Sequence, residues 1–136
     1  MARQWCIAFL APILVACGSS EHRYATLVDA QQAGVISDGY LPDVLPESTR
    51  NLLVIRHWRS DRARGTLCFD PKDKDEFYGR LQTELDSAVW GQDMARLFPH
   101  LNLNGVRSRA FESAGGRWIF SCIDSNECSL CTWSRL

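Results

Sequence analysis

The chain opens with a short apolar segment that ends at a cysteine, and this segment decides how much of the sequence is left to fold. An early charge, Arg3, precedes the apolar stretch from Trp5 to Val15, and small residues follow. A charged start, a short apolar stretch and small residues before a cleavage site are typical of a secretory signal. We therefore predict a signal peptide over residues 1–16. The remaining residues, 17–136, suit one small domain.

The end of this segment, Leu14-Val15-Ala16-Cys17, resembles the lipobox of bacterial lipoproteins. The resemblance implies that Cys17 receives a diacylglyceryl group on its sulfur, that the chain is cut before Cys17, and that the new amine is acylated. Two or more acyl chains hold a protein stably on a membrane. No later apolar run is long enough to span a bilayer, so lipid on Cys17 is the predicted attachment. The alternative is an ordinary signal peptide cleaved nearby, with Cys17 an incidental cysteine.

The resemblance also carries an expectation about location. The residue after the lipidated cysteine is Gly18 rather than aspartate. Under the enterobacterial sorting pattern this favours the outer membrane over the inner one. We therefore expect a cell-envelope protein that is anchored by lipid and faces the periplasm.

Six cysteines are present, but only four are available to the folded domain. Cys6 would leave with the signal peptide and Cys17 would carry lipid. Because export leads to an oxidising compartment, an even number of remaining cysteines predicts disulfides, here with three possible pairings. A bond from the first of the four to the C-terminal cluster would close a long loop and contribute roughly 4 kcal/mol in the chain-entropy model. The disulfide candidates are Cys68, Cys122, Cys128 and Cys131.

The spacing of the last three cysteines restricts how they pair. If residues 128–133 are extended, Cys128 and Cys131 lie on opposite faces of the strand, roughly 10 Å apart. A disulfide needs Cα atoms within about 7 Å, so these two would not bond to each other. A turn after Cys122 brings that residue near Cys128 or, diagonally, near Cys131. We expect a short-range pair there and leave its partner open.

Two other uses of the same cysteines are a Cys₄ zinc site and thiol-redox chemistry at Cys128-Ser129-Leu130-Cys131. A zinc ribbon normally brings a second CxxC, which the sequence lacks. A thioredoxin-like motif needs a strand and then a helix start, and nothing upstream resembles that setting. We therefore predict no metal site and no cofactor, with the cysteines in a structural role.

The apolar patterns predict an α+β domain over residues 24–136, after a polar tether at residues 17–23. Thr26 begins a capping box for a first helix, and two Leu-Pro steps direct Leu41 and Leu45 into the core. Strands and helices segregate rather than alternate, so we expect a small antiparallel sheet, a hairpin plus a C-terminal three-strand meander, packed with two or three helices. Strands are predicted at 51–59, 66–69, 106–112, 117–123 and 128–133, and further helices at about 74–86 and before Pro99.

Several of these segments together resemble a family of small uncharacterised lipoproteins of Gram-negative bacteria, and the domain looks like the YbbD head domain over most of residues 24–134. The resemblance implies a fold and an envelope location, and no established activity. The chain departs from the family in its arginine-rich hairpin turn and its cysteine-rich C-terminus. The resemblance is carried by Ala30, Gly34, Gly39-Tyr40-Leu41-Pro42-Asp43-Val44-Leu45-Pro46, a strand ending at Phe69 and Pro71, a helix with Phe77 and Leu81, and a last strand ending at Trp133.

The remaining polar clusters favour structural explanations. The 15 Lys and Arg nearly balance the 16 Asp and Glu, so a basic stripe for nucleic acid is absent. The three histidines are scattered and no nucleophile elbow accompanies them, which argues against a hydrolase. The acidic cluster lacks the glycine and terminal glutamate of an EF-hand loop. These groups are His22, His57 and His100, and Asp70, Asp73, Asp75 and Glu76.

Four arginines, Arg56, Arg59, Arg62 and Arg64, crowd one predicted strand end and its turn. Arginine forks match phosphate groups, so this loop could touch lipid headgroups or lipopolysaccharide phosphates. Asp61 dilutes the charge, and a solvated turn is the simpler interpretation.

The sequence thus predicts a membrane-anchored envelope lipoprotein that is not an enzyme and has a binding or accessory role. Its expected partners are the membrane, through the N-terminal lipid, and an envelope protein that recognises the sheet edge. The alternative is a periplasmic metal-binding or thiol-redox protein that uses the C-terminal cysteines.

Overall fold

A computed structural model describes residues 18–57 and 59–136. The predicted signal peptide and the predicted lipidation site, Cys17, lie outside these residues. The described chain forms one seven-stranded antiparallel sheet in the order β1-β2-β3-β7-β6-β5-β4. The strands are β1 (Ser19–Thr26), β2 (Arg50–His57), β3 (Ala63–Phe69), β4 (Thr83–Leu85), β5 (Arg107–Ser113), β6 (Gly116–Asp124) and β7 (Ser129–Arg135).

Three helical regions pack on this sheet, which confirms the α+β prediction. They are α1 (Leu27–Gln32), α2 (Lys74–Arg80) after a 3₁₀ turn at Pro71–Asp73, and the adjacent short helices α3 (Ser87–Trp90) and α4 (Gln92–Leu97). Within residues 18–57 and 59–136, no helix is long and apolar enough to cross a membrane.

The predicted hairpin is β2–β3 and the predicted meander is β5–β6–β7, and both are confirmed. They join because β7 pairs with β3 on one side and β6 on the other, with Leu67 opposite Cys131 and Gly65 opposite Trp133. A Cβ at Gly65 would collide with the carbonyl oxygen of Leu53 and approach the Trp133 indole. The close approach of β2 and β3 therefore requires glycine at this position.

The main core lies on one face of the sheet, under α1, α2 and the chain between α1 and β2. Phe77 of α2 packs edge-on against Phe69 of β3 and Phe120 of β6, with ring centroids 5.2 Å apart in both pairs. Leu41 and Leu45 are 1% and 7% exposed, which confirms that the Leu-Pro steps direct them inward. Burying these apolar side chains is the main favourable term in folding.

A smaller layer covers part of the other face. Met94 of α4 is fully buried, and the hydroxyls of Ser108 and Ser121 share a hydrogen bond with the oxygens 2.7 Å apart. The Ser121 hydroxyl also lies 3.0 Å from the carbonyl oxygen of Trp90. This layer satisfies buried hydroxyls that would otherwise be costly.

The first helix begins as predicted. The Thr26 side chain accepts a hydrogen bond from the backbone N–H of Asp29, 3.2 Å away, and so caps the helix. The helix ends at Gln32, with Ala33 as its C-cap. The next residue, Gly34, has a positive φ of 84°, which a helix cannot continue through. A positive φ of this kind favours glycine.

The prediction of a polar tether at residues 17–23 is wrong from Ser19 onward. Ser19–Thr26 forms the edge strand β1, and its backbone pairs with β2 from Ser19 opposite His57 to Thr26 opposite Arg50. The side chains of β1 are exposed or only half-buried. An edge strand of this kind is held by backbone hydrogen bonds and lacks the apolar alternation that identifies a strand in a sequence.

The helix expected at residues 74–86 ends at Arg80, and Thr83–Leu85 is the edge strand β4 instead. The Gln82 side chain bonds both backbone groups of Glu112, accepting from its N–H at 2.8 Å and donating to its carbonyl at 3.2 Å. The chain therefore pairs with β5 just after Leu81 and does not continue as a helix, although Leu85 fits the apolar spacing of the helix.

Candidate functional site

The four cysteines predicted to form disulfides all lie at one end of the sheet and form two pairs. Cys122 and Cys131 are directly opposite each other on β6 and β7, with Cα atoms 4.1 Å apart. Cys68 of β3 pairs with Cys128, just before β7, with Cα atoms 5.8 Å apart. The predicted short-range disulfide at the last hairpin is confirmed. Cys122, whose partner the sequence left open, bonds to Cys131.

All four cysteines are buried, but only one pair belongs to the main core cluster. Cys122 and Cys131 belong to the main core and are 1% and 0% exposed. Cys128 and Cys131 belong to different disulfides, as predicted, although Cys128 lies just before β7 and not within it. Every one of these four sulfurs is bonded to another cysteine, so in this oxidised state none of them is a thiolate.

The turn beside these cysteines is tied to the rest of the domain by polar contacts. The Ser125 hydroxyl donates to the carbonyl oxygen of Cys128, 2.9 Å away. Arg50 donates to the carbonyl oxygen of Glu127 at 3.1 Å and to the Asp70 carboxylate at 2.8 Å. These contacts connect the last hairpin to β2 and to the end of β3, so polar contacts as well as disulfides hold this end of the sheet together.

An ion pair between Lys74 and Asp124 adds a further link, from α2 to β6, with the nitrogen and oxygen 2.6 Å apart. Hydrogen bonds from Lys74 and from the Ser129 hydroxyl lower the pKa of Asp124. The hydrogen bond to Asp124 raises the pKa of Lys74. Nearby, burial raises the pKa of Tyr78 to about 12, so its phenol stays protonated across the physiological range.

We predict that Asp124→Asn lowers the melting temperature by at most a few degrees, because both partners are partly exposed. A carboxylate with a lowered folded pKa stabilises the protein above its unfolded pKa, about 3.9, and that contribution is lost as the pH falls further. The raised pKa of Lys74 makes its contribution present below about pH 10.4 and lost as the pH rises further.

Thermal melts of both proteins from pH 2 to pH 11 would therefore show a constant difference near neutrality that shrinks below about pH 4. The exposed Asp43→Asn variant is the control and should melt like the wild-type protein at every pH. A difference for Asp124→Asn that persists unchanged in acid would contradict this explanation.

Three of the four acidic residues in the predicted cluster contact other protein groups, and the first of them, Asp70, pairs with Arg50 as described above. The Asp73 carboxylate accepts from the Ser48 hydroxyl at 2.6 Å, and Glu76 pairs with Arg80 at 2.6 Å. His22 lies on β1 and His57 at the end of β2, both exposed. In the described part of the chain, no group of three or more histidine, cysteine or acidic side chains could hold a metal ion.

The arginine-rich turn lies at the opposite end of the sheet from the cysteines. Arg59 and Arg62 are exposed in the turn between β2 and β3, and the Arg56 guanidinium stacks over the Tyr40 ring, 4.6 Å from its centroid. Arg135 of β7 donates to the carbonyl oxygens of Asp61 and Gly115 and so fixes the base of this turn.

The chain was compared with protein-family models, curated proteins and solved structures. No family model, curated protein or solved structure matches the chain.

Proposed function

We propose that this protein is a membrane-anchored envelope lipoprotein with a non-enzymatic binding or accessory role. The observation that carries the proposal is the lipobox-like Leu14-Val15-Ala16-Cys17 at the end of the N-terminal apolar segment. Cleavage before Cys17 and acylation would leave several acyl chains on the new N-terminus, enough for stable anchoring. The destination favoured by Gly18 is the outer membrane, with the domain facing the periplasm.

The position of the folded domain supports this proposal. Strand β1 begins at Ser19, so the sheet, the core cluster and both cysteine pairs all lie after the proposed cleavage point. The described domain is therefore compatible with cleavage before Cys17. Two disulfides also suit an exported protein, since they persist in oxidising compartments and are rare in the cytosol.

The binding role of the domain is proposed on the edge of the sheet. β1 is an outer strand of eight residues whose free side carries backbone groups that can pair with an added strand. Its charged residues, Glu21 and Arg23, limit indiscriminate pairing. An envelope protein that presents an extended segment is the partner this edge would accept.

The alternative, a periplasmic metal-binding or thiol-redox protein, would need free thiols at the C-terminal cysteines. The four sulfurs are paired in the structure, and this pairing is the reason we favour the structural role.

We predict that Cys17→Ser abolishes lipid labelling and releases the protein from the membrane fraction. Serine has no thiol to accept the diacylglyceryl group, so the anchor cannot form. The measurement is incorporation of a radiolabelled or alkyne-tagged fatty acid in cells, together with fractionation of the envelope.

Cys6→Ser is the matched control, because that cysteine would leave with the signal peptide. This variant should remain labelled and membrane-bound. A Cys17→Ser protein that still carries the fatty-acid label would refute the proposed anchor.

A further inference from the structure

We propose that Arg56, Arg59, Arg62 and Arg64, here called the basic hairpin end, bind the anionic headgroups of the bilayer that holds the anchor. The inference rests on the proposed lipid anchor and goes beyond it, because it assigns the folded domain a second contact with the membrane. Three features support it: these arginines lie close to Cys17 along the fold, no described carboxylate forms an ion pair with them, and a polar depression lies beside them.

The fold places the basic hairpin end next to the proposed anchor. Only Gly18 separates Cys17 from the first residue of β1, and two residues of chain span at most about 7 Å. Ser19 lies opposite His57, and Ser20 opposite Arg56, in the β1–β2 pairing. Adjacent strands are about 4.8 Å apart. Lipid on Cys17 would therefore enter the bilayer beside the turn that follows His57.

Had residues 17–23 been a loose tether, the arginines would have had no fixed position relative to the membrane. Because Ser19–Thr26 is a strand paired with β2, the start of β1 has a fixed position beside the hairpin, and the proposed anchor is two residues from that start. Charges within about a Debye length of an anionic surface, roughly 8 Å at physiological salt, are strongly attracted to it. The short connection through Gly18 makes an approach of this order possible.

Few acidic residues lie close to the charges at this end in the described part of the chain. Residues 56–64 contain four arginines and one acidic residue, Asp61. Among the described residues, none of the four arginines forms an ion pair with a carboxylate. At the opposite end of the sheet, by contrast, Arg50 is paired with Asp70 and Lys74 with Asp124. The two ends of the sheet thus differ in how many cations are free to bind an external anion.

A polar depression lies beside the arginines and faces the start of β1. It has a volume of about 650 Å³ and contains one acidic residue, Asp61, beside two arginines. The full lining is Ser20, Tyr40, Arg56, His57, Arg59, Ser60 and Asp61. Arginine guanidinium groups and hydroxyls are the donors that suit phosphate oxygens. The depression can therefore receive a lipid phosphate while the neighbouring arginines contact adjacent headgroups.

The test uses the full chain as cells process it, purified in detergent and reconstituted into two kinds of vesicle. One kind contains phosphatidylcholine alone, and the other contains phosphatidylcholine with phosphatidylglycerol. Hydrogen exchange of the backbone amides of residues 59–64, followed by mass spectrometry, reports contact of the turn with the bilayer. The variants are Arg59→Gln with Arg62→Gln, and a control that removes the same charge at the opposite end, Lys72→Gln with Arg107→Gln.

We expect slower exchange of residues 59–64 in the anionic vesicles than in the neutral ones, and loss of this difference at high salt. Each arginine removed should weaken the surface contact roughly fivefold, so the double hairpin variant should lose the difference while the control keeps it. Equal exchange of the wild-type protein in both vesicles would overturn the inference. Equal loss in both variants, or protection that appears only with an acidic envelope protein, would also overturn it.

Failure of the anchor is measured separately, by the mass of the N-terminal peptide. If Cys17 carries no lipid, the proposed anchor fails, and the same chain is then tested by flotation with the two vesicle types. Salt-sensitive flotation with the anionic vesicles would uphold the basic hairpin end as a membrane contact on its own. Its absence would refute that contact as well.

Discussion

Replacing Cys68 and Cys128 together with alanine is expected to lower the free energy of unfolding by about 4 kcal/mol. The two residues are 60 positions apart, and a cross-link over a loop of this length strongly restricts the unfolded chain. Small domains have a net stability of only about 5–15 kcal/mol, so one pair would supply a large share of the total. Urea denaturation of the oxidised proteins, followed by tryptophan fluorescence, measures the loss.

The other pair is the matched comparison. Cys122 and Cys131 are 9 positions apart, and the same chain-entropy expression gives about 2.5 kcal/mol for a loop of that length. The m-value adds a second distinction, because it rises when the unfolded chain becomes more expanded. We expect a clear rise when the long cross-link is removed and a smaller one for the short cross-link. Equal m-values in the two variants would contradict the loop explanation.

The wild-type protein of this experiment also allows the state of the sulfurs to be measured, because it keeps all four cysteines. Thiol titration under denaturing conditions, before and after reduction, should find Cys68, Cys122, Cys128 and Cys131 reactive only after reduction. Free thiols that bind zinc stoichiometrically would instead favour the metal-binding alternative and remove the basis of the stability prediction.

The second large effect is expected for Phe77→Ala, which should lower the free energy of unfolding by about 3–5 kcal/mol. Phe77 is 1% exposed and its ring packs against Phe69 and Phe120. Those two residues belong to β3 and β6, the strands on either side of β7. Truncating this side chain therefore leaves a cavity where α2 meets the middle of the sheet.

Leu97→Ala is the control for this prediction. Leu97 is an apolar helix residue of the same domain but is 51% exposed, so its truncation should change stability by no more than about 0.5 kcal/mol. Denaturant unfolding monitored by circular dichroism compares the two variants. A loss below about 1 kcal/mol for Phe77→Ala would mean that the core around α2 is not close-packed as described.

Much of the fold could be predicted because its strands carry apolar side chains on a buried face. Val54 and Leu67 are buried in the centre of their strands, and the segments around them have the apolar content that identifies a strand. The two Leu-Pro steps were informative for another reason, since proline restricts the backbone of the residue before it.

The missed elements share a different property. β1 and β4 are the two edges of the sheet, and edges form through backbone pairing that leaves little trace in side-chain patterns. Leu85 even continues the apolar spacing of the preceding helix, so a helix was the natural prediction there. Local patterns also could not show which strands of the hairpin and the meander meet, because the β3–β7 contact joins residues at least sixty positions apart.

The candidate site was predictable in its residues and less so in its geometry. The sequence identified all four disulfide cysteines, and the expectation that Cys128 and Cys131 would not bond to each other follows from strand alternation. Choosing between Cys128 and Cys131 as the partner of Cys122 required the register of the last hairpin. The importance of the arginine-rich turn depended on β1, which sets its position relative to Cys17.

The strand order has a consequence for when this protein can fold. β7 is the seventh strand along the chain, yet it lies fourth in the sheet, between β3 and β6. Without β7, the group β1–β2–β3 and the group β4–β5–β6 do not touch along an edge. The seven-stranded sheet is therefore complete only once β7 has paired with both. Contacts between distant parts of a chain form slowly, and until β7 pairs, the edges of β3 and β6 that it joins have no partner strand. We therefore expect the chain to be most prone to aggregation and proteolysis before β7 has paired with β3 and β6.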